Sequence, residues 1–237
     1  GKVLKEFKGY NILNVLISRL RKSKNVKNII IATTKYNKDN KIIEFCKKNS
    51  VNFFRGDEKD VLGRFYKEAT KYKVKNIIRI TSDCPFIDIN TLDRMVLNFK
   101  KKKLDYYSNT YPEPSTYPDG MDIEIFKYKV LKITNKLAKA SSEREHVTLF
   151  MRRFIKFNIK RHDQKKNYSK YRLTVDYFQD FILFSKIINY FGKKIISTKM
   201  NELIDFLSKN PKLTRYQKNI VRNESLYKDI LGDNIIN

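Results

Sequence analysis

Apolar and polar residues follow two rhythms that alternate along the first half of the chain. Residues 11–23 (NILNVLISRLRKS) place apolar side chains at helical spacing, and residues 28–34 (NIIIATT) form a short β-branched run that reads as a strand. Residues 37–49 (NKDNKIIEFCKKN) then read as an amphipathic helix, 51–56 (VNFFRG) as a strand ended by Gly56, and 58–72 (EKDVLGRFYKEATKY) as a further helix. Residues 75–83 (KNIIRITSD) give the next strand, and 88–102 (DINTLDRMVLNFKKK) a helix with Asp88 placed to cap it. Strands flanked by helices of this length imply right-handed crossovers, hence an α/β chain with a mostly parallel sheet.

The second half mixes its elements. Residues 104–110, 119–126 and 154–160 read as strands, the last two with two-residue alternation, and 171–177 (YRLTVDY) as another. Residues 128–140, 142–154 and 178–191 read as helices, and 197–231 as two or three surface helices broken at Pro211. No internal repeat or Gly/Ser linker interrupts this order. The expected organisation is one α/β domain over residues 1–192, with a helical tail, 193–237, packed on it.

Composition changes this picture little. A chain of 237 residues with 41% hydrophobic content in separated runs is long enough to bury one large core. No run approaches the length of a membrane-spanning helix, and the N-terminus lacks the apolar core of a signal peptide. Two cysteines, Cys46 and Cys84, are too few for a disulfide framework and fit free thiols in a reducing cytoplasm. The net charge of +26 invites a nucleic-acid reading, but the lysines are scattered and no RNA-binding motif interleaves aromatics with them. Such a field steers polyphosphates and other anions toward the surface.

The candidate chemistry lies where apolar runs end on acid. In an open α/β sheet the ligand crevice lies beyond the carboxyl ends of the strands. Asp83 closes IIRITSD there, and Asp176 follows RLTV in the same manner. Magnesium takes one or two carboxylates and fills its shell with water and phosphates, so two strand-end aspartates suit a metal–nucleotide site. Capping of the following helix is the alternative role for either aspartate alone. For Asp83 the Cys-Pro step and the better-placed Asp88 weigh against it. Asp122 and Glu124 share one face of their strand, facing either a substrate or solvent.

Residues 79–88 (RITSDCPFID) resemble the RITGDCPLIDP element of the spore coat polysaccharide biosynthesis protein F family, relatives of the 3-deoxy-manno-octulosonate and acylneuraminate cytidylyltransferases. Counterparts follow in order over nearly the whole chain: residues 1–20, 29–48 (IIIATTKYNKDNKIIEFCKK), 53–69 (FFRGDEKDVLGRFYKEA), 105–110, 117–126 (YPDGMDIEIF), 143–152 (EREHVTLFMR), 172–181 (RLTVDYFQDF) and the tail 209–231. The resemblance implies a three-layer Rossmann-like nucleotide-diphospho-sugar transferase fold with a mostly parallel mixed sheet. It implies transfer of CMP from CTP to a sugar, acidic or related, with release of pyrophosphate. By the same resemblance Asp83 and Asp176 are the catalytic, Mg2+-coordinating aspartates, and Lys2 meets the triphosphate. Arg55, Asp60 and Arg64 lie in the segment that faces the nucleotide–sugar cleft in the family, an exposed helix face being the alternative. From their place in the sequence, Asp122 and Glu124 on one strand face, and Glu145 with His146, are the candidates to meet the sugar, a structural role being the alternative for the histidine. A homodimer is common in the family. A glycosyltransferase using a ready-made nucleotide sugar and a basic polyanion binder are the competing readings.

The chain departs from the family pattern at its start, where the sequence begins at the Gly of GKVL. The family's preceding strand lies centrally, so the strands at 28–34 and 75–83 are expected to be unpaired, about two strand spacings or ~10 Å apart. Without that strand the fragment is expected to fold poorly and to be inactive. Ser82 replaces the family Gly before the metal aspartate, and DYFQD replaces DEPED while keeping Asp176 and Asp180.

Overall fold

The computed structural model describes residues 2–236. A short 3-10 turn (Lys2–Leu4) leads into a small hairpin, β1 (Glu6–Phe7) and β2 (Tyr10–Asn11), and then α1 (Ile12–Leu20). Next come β3 (Ile30–Thr34), α2 (Asn40–Lys48), β4 (Asn52–Gly56), α3 (Val61–Lys71), β5 (Asn76–Arg79), α4 (Ile89–Lys101) and β6 (Tyr106–Ser108). The second half contains β7 (Glu124–Lys127), α5 (Tyr128–Leu137), α6 (Ser141–Glu145), α7 (Leu149–Arg153), β8 (Ile159–Arg161), α8 (Phe178–Phe191), α9 (Met200–Lys209) and α10 (Glu224–Ile236). None of the described helices is long and apolar enough to cross a membrane.

Local chemistry sets the helix starts. The side chains of Asn11, Asp60 and Asp88 each accept a hydrogen bond from the backbone N–H three residues on, satisfying a donor that the helix itself leaves free. The strands form a parallel pair, β3–β4, and a second sheet in the order β5–β7–β6–β8. In that second sheet β5, β6 and β8 run the same way and β7 is inserted antiparallel between β5 and β6. The architecture is thus a mixed, mostly parallel α/β arrangement. As expected, β3 and β5 are not hydrogen-bonded to each other. Helix α1 spans the interval: Leu13 and Ile17 pack with Ile31 and Phe53 of β3 and β4, while Leu16 and Leu20 pack with Ile78 and Ile80 at β5.

Three sequence expectations are corrected. Residues 171–177 form no ladder. They run extended with a single bridge, Asp119↔Arg172, because their backbone partners are a loop and a turn: Leu173 N–H donates to Asp119 and Val175 N–H to Asp83. Residues 142–154 are two short helices, since Val147 adopts φ 52° and interrupts the first after Glu145. Of 154–160 only Ile159 onward pairs, and before it the Phe154 ring stacks on Phe150 and meets Phe157 at a tilt.

Helix α9 buries Leu203, Ile204, Phe206 and Leu207 against α8 and the residues around Tyr171 and Leu173. Arg19 of α1 ties the turn before α9 to the body of the fold. Its guanidinium is fully buried and donates to the carbonyls of Ile87 (3.0 Å), Ile195 and Thr198 (2.8 Å). Burial lowers its pKa to about 10, which leaves the group charged at neutral pH.

Candidate active site

The carboxyl end of β5 opens onto a cleft of about 460 Å³ whose lining includes Arg79, Thr81, Asp83, Asp122, Glu124, His146, Arg152, Arg172 and Asp176. Asp83 sits in the turn after β5, where Cys84 N–H bonds back to Thr81 and the Cys84 thiol lies 3.0 Å from the Thr81 hydroxyl. Its carbonyl accepts from Val175 N–H at 2.9 Å and from the Thr174 hydroxyl at 3.3 Å. The backbone of one aspartate therefore fastens the segment that carries the other. Lys2, held by the buried neighbour Val3, completes the group: its Nζ lies 2.7 Å from Asp176 Oδ1 and 3.4 Å from Asp83 Oδ2. Burial alone would lower the Lys2 pKa, but the two carboxylates outweigh it and raise it.

Asp176 is held from three sides. Its Oδ2 accepts from Arg172 Nη2 at 2.6 Å, its Oδ1 faces Lys2, and its backbone N–H donates to Asp180 at 2.9 Å. Burial would raise its pKa, and Lys2 and Arg172 more than reverse that, so the group is ionised. Asp180, buried at the start of α8, also accepts from Tyr177 N–H, Arg172 and the Tyr216 hydroxyl. Arg172 in turn bonds Asp119 at 2.5 Å and so joins three aspartates.

The opposite wall is built on β7. Glu124 is nearly fully buried and accepts from Arg79 (2.5 Å), Arg152 (3.0 Å), the Tyr106 hydroxyl (2.5 Å) and the Thr148 hydroxyl (2.6 Å). Burial pushes its pKa up, yet the two guanidiniums and the two hydroxyls hold it at about 2. Asp122 pairs with Arg222 at 2.5 Å, and 28% of its side chain is open to the cleft. There burial prevails over Arg222, and with Asp119 and Glu124 nearby the pKa rises to about 6. His146 lines the cleft and its Nε2 lies 2.7 Å from Asp229 of α10.

The cleft gathers Asp83, Asp176, Asp122, Glu124 and His146, with Lys2 against the two aspartates. The other candidates do not line it. Arg55 donates to the carbonyls of Thr34 and Tyr36, both at 2.9 Å, closing the end of the β3–β4 pair. Asp60 caps α3 and pairs with Arg144 at 2.5 Å. Arg64 lies across Gly56 and donates to the Asp57 carbonyl at 2.8 Å. Glu145 is exposed, and its neighbour Glu143 is the buried acid, accepting from the N–H groups of Lys139 and Ala140.

Sequence reasoning missed Arg172, Arg79, Arg152 and Asp119. For Arg172 a signal existed, because in an extended segment residues 172, 174 and 176 share a side. Arg79 meets Glu124 only through the β5–β7 register, which pairs those two positions.

Gly120 sets how closely the two halves of the cleft approach. Its φ is 89°, and a Cβ there would lie 2.1 Å from the Thr174 nitrogen. Gly120→Ala is expected to cost roughly 2 kcal/mol or more, since left-handed strain and a backbone clash coincide. It should also push Asp176 away from Asp83. Urea unfolding, together with magnesium-dependent nucleotide binding, reads both effects; a variant as stable as wild type would show that the close approach is not required.

One aspartate follows β5 and the other the extended segment 172–175, and both face a cleft walled by arginines and acids at the carboxyl end of the sheet, where open α/β folds bind their ligands. The chain belongs to the cytidylyltransferase family, whose sequence profile matches residues 1–230. It is 36% identical over 224 residues to an uncharacterised protein of Methanocaldococcus jannaschii, spanning 93% of this chain and 89% of that one. It is 31% identical over 219 residues to the spore coat polysaccharide biosynthesis protein SpsF of Bacillus subtilis, spanning 89% of each. A cytidylyltransferase structure from Leptospira borgpetersenii serovar Hardjo-bovis matches with a TM-score of 0.85 at 33% identity, covering 93% of this chain and 92% of that one. The family resemblance seen in the ordered motifs is therefore real.

Proposed function

We propose that the cleft transfers a cytidylyl group from CTP to a sugar hydroxyl in the synthesis of a surface polysaccharide, with Mg2+ held by Asp83 and Asp176. The observation that carries this reading is the convergence of those two carboxylates on one cation, the Lys2 ammonium, at 3.4 and 2.7 Å. Oxygens that share one ammonium can share one metal ion, and hard carboxylate donors suit magnesium, which leaves the rest of its shell to water and phosphates. Among the described residues no third His, Cys, Asp or Glu joins them. The bound ion would offset negative charge on the phosphates as the α-phosphorus is attacked.

The chain's own residues position the reactants. Arg172 holds Asp176 in one orientation through Oδ2, leaving Oδ1 to face the cation. The turn after β5 fixes Asp83, and Lys2, beside both carboxylates, would meet the triphosphate. The sugar oxygen forms the new P–O bond as the bond to pyrophosphate breaks, and the hydroxyl proton passes to water in the cleft. Catalysis of this kind rests on positioning and charge. Glu124, saturated by four donors, supports the wall, whereas the partly open Asp122 is the acid available to a sugar hydroxyl. The family and the polysaccharide role in the name of the Bacillus relative support the choice of CTP and sugar.

Thermal unfolding with each of the four nucleoside triphosphates, with and without magnesium, tests the reading. CTP with magnesium at ~100 times Kd should add roughly 2.7 kcal/mol of stability. Equal shifts with all four nucleotides, whether or not metal is present, would mean that the +26 charge merely gathers anions, and the proposal would fall.

A further inference from the structure

The C-terminal segment closes one side of the cleft without joining the core. Residues 220–228 contribute Ile220, Val221, Asn223, Glu224, Leu226 and Lys228 to the lining. None of the four hydrophobic clusters takes a described residue after Leu213, whereas α9, just before it, is buried along one face. Val221 and Leu231 lie open to solvent.

What holds the segment is polar and sits at its edges. Arg222 donates to Asp122 (2.5 Å) and to the Tyr117 carbonyl (3.1 Å), and its Nε lies 3.7 Å from Asp119. Asn223 and the Tyr227 hydroxyl both donate to Glu113, at 3.0 and 2.6 Å. His146 reaches Asp229 of α10 at 2.7 Å. The Glu113 contacts are exposed, compete with water and are individually weak, so the partly buried Arg222 pair is the main hold. Segments with few buried apolar contacts open first, far below the threshold for global unfolding. Asn223, with φ 59°, supplies a sharp left-handed joint just before α10, in a conformation asparagine tolerates.

We propose that residues 220–228 are a movable wall, which swings away to admit nucleotide and acceptor and is latched in the free enzyme by Arg222 on Asp122. The latch lies on a cleft carboxylate, so an acceptor that reaches Asp122 must displace Arg222 or be covered by it. The proposal rests on the reading of this cleft as the nucleotide and sugar site.

Two measurements on the full chain test it. The first is hydrogen exchange of the unliganded protein. Amides of 220–228 should exchange at least tenfold faster than those of α9, and Arg222→Gln should speed the former at least tenfold further while leaving α9 unchanged. Equal protection of the two regions, or equal acceleration of both, would make the segment a fixed part of the fold and overturn the proposal. The second clamps the wall shut with a short bis-maleimide between Glu113→Cys and Tyr227→Cys; the native thiols, Cys46 and Cys84, are buried. The clamped protein should bind CTP with magnesium at least tenfold more slowly than the unclamped double variant. Equal rates would overturn the moving wall while leaving the nucleotide site intact. If the unclamped variant and the wild type both fail to bind CTP, it is the nucleotide reading that fails, and the exchange result alone decides the wall.

Discussion

Replacing Asp83 by asparagine is expected to abolish the magnesium-dependent stabilisation by CTP while leaving the unliganded fold nearly unchanged. The fold is spared because the structural bonds of this residue come from its backbone: its carbonyl holds Val175 and Thr174, and an asparagine keeps that carbonyl. The lost ion pair with Lys2 is half-exposed and long, and pairs of that kind are worth about 0–1 kcal/mol. The functional loss should be large. A neutral amide halves the negative charge offered to the metal, and removal of one preorganised electrostatic group at a reacting centre typically costs roughly 10²–10³ in rate. Pyrophosphate release with an accepted sugar and the CTP-dependent melting shift should fall together. Retention of both in Asp83→Asn would remove this residue from the metal site.

The largest stability effect is expected at Glu124. Glu124→Ala should destabilise the protein by roughly 3–5 kcal/mol, because it strands Arg79 and Arg152 together on a buried wall without their shared anion. The same residue gives the cleft a pH signature. Its pKa falls from 4.5 to about 2 on folding, so it contributes about 3 kcal/mol that is fully present above pH 4.5 and is lost as the pH falls toward 2. Asp122 has the opposite sign. Its pKa rises from 3.8 to about 6, so its ionisation opposes folding above pH 6, and that cost is relieved as the pH drops from 6 toward 3.8. Glu68, lifted by burial to about 7, adds to the Asp122 arm, so stability is expected to rise as the pH drops from 7 to about 4.5, stay nearly level to about 3.8, and fall below that. Denaturant unfolding across this range checks it, and Asp122→Asn should shrink the upper arm to the part Glu68 supplies while leaving the acid limb in place. An upper arm unchanged in Asp122→Asn would mean that Asp122 contributes nothing to it.

Much of the fold was legible because its causes are local. The run IIRITSD ends on an aspartate that a Cys-Pro step keeps out of the next helix, and Asp88 three positions beyond that step caps α4 as expected. The helical spacing in 11–23 and the β-branched run in 28–34 gave elements within two or three residues of those observed. Residues 171–177 carry the same pattern as a strand yet lack a ladder, since pairing depends on what lies alongside and alternation in one segment cannot report it.

The sequence by itself determined that two aspartates end their segments beside a sheet, and in which family such motifs recur. The tertiary structure alone decided that both converge on Lys2, that Arg172 holds Asp176, that Arg55, Asp60 and Arg64 bond to neighbouring groups outside this cleft's lining, and that Glu145 is exposed. It also decided that a tail some 140 residues after Asp83 supplies one wall. The physical reason is range. Capping and strand endings are settled by neighbours within a few residues, whereas the role of a charge depends on which opposite charges and how much water the folded chain places around it.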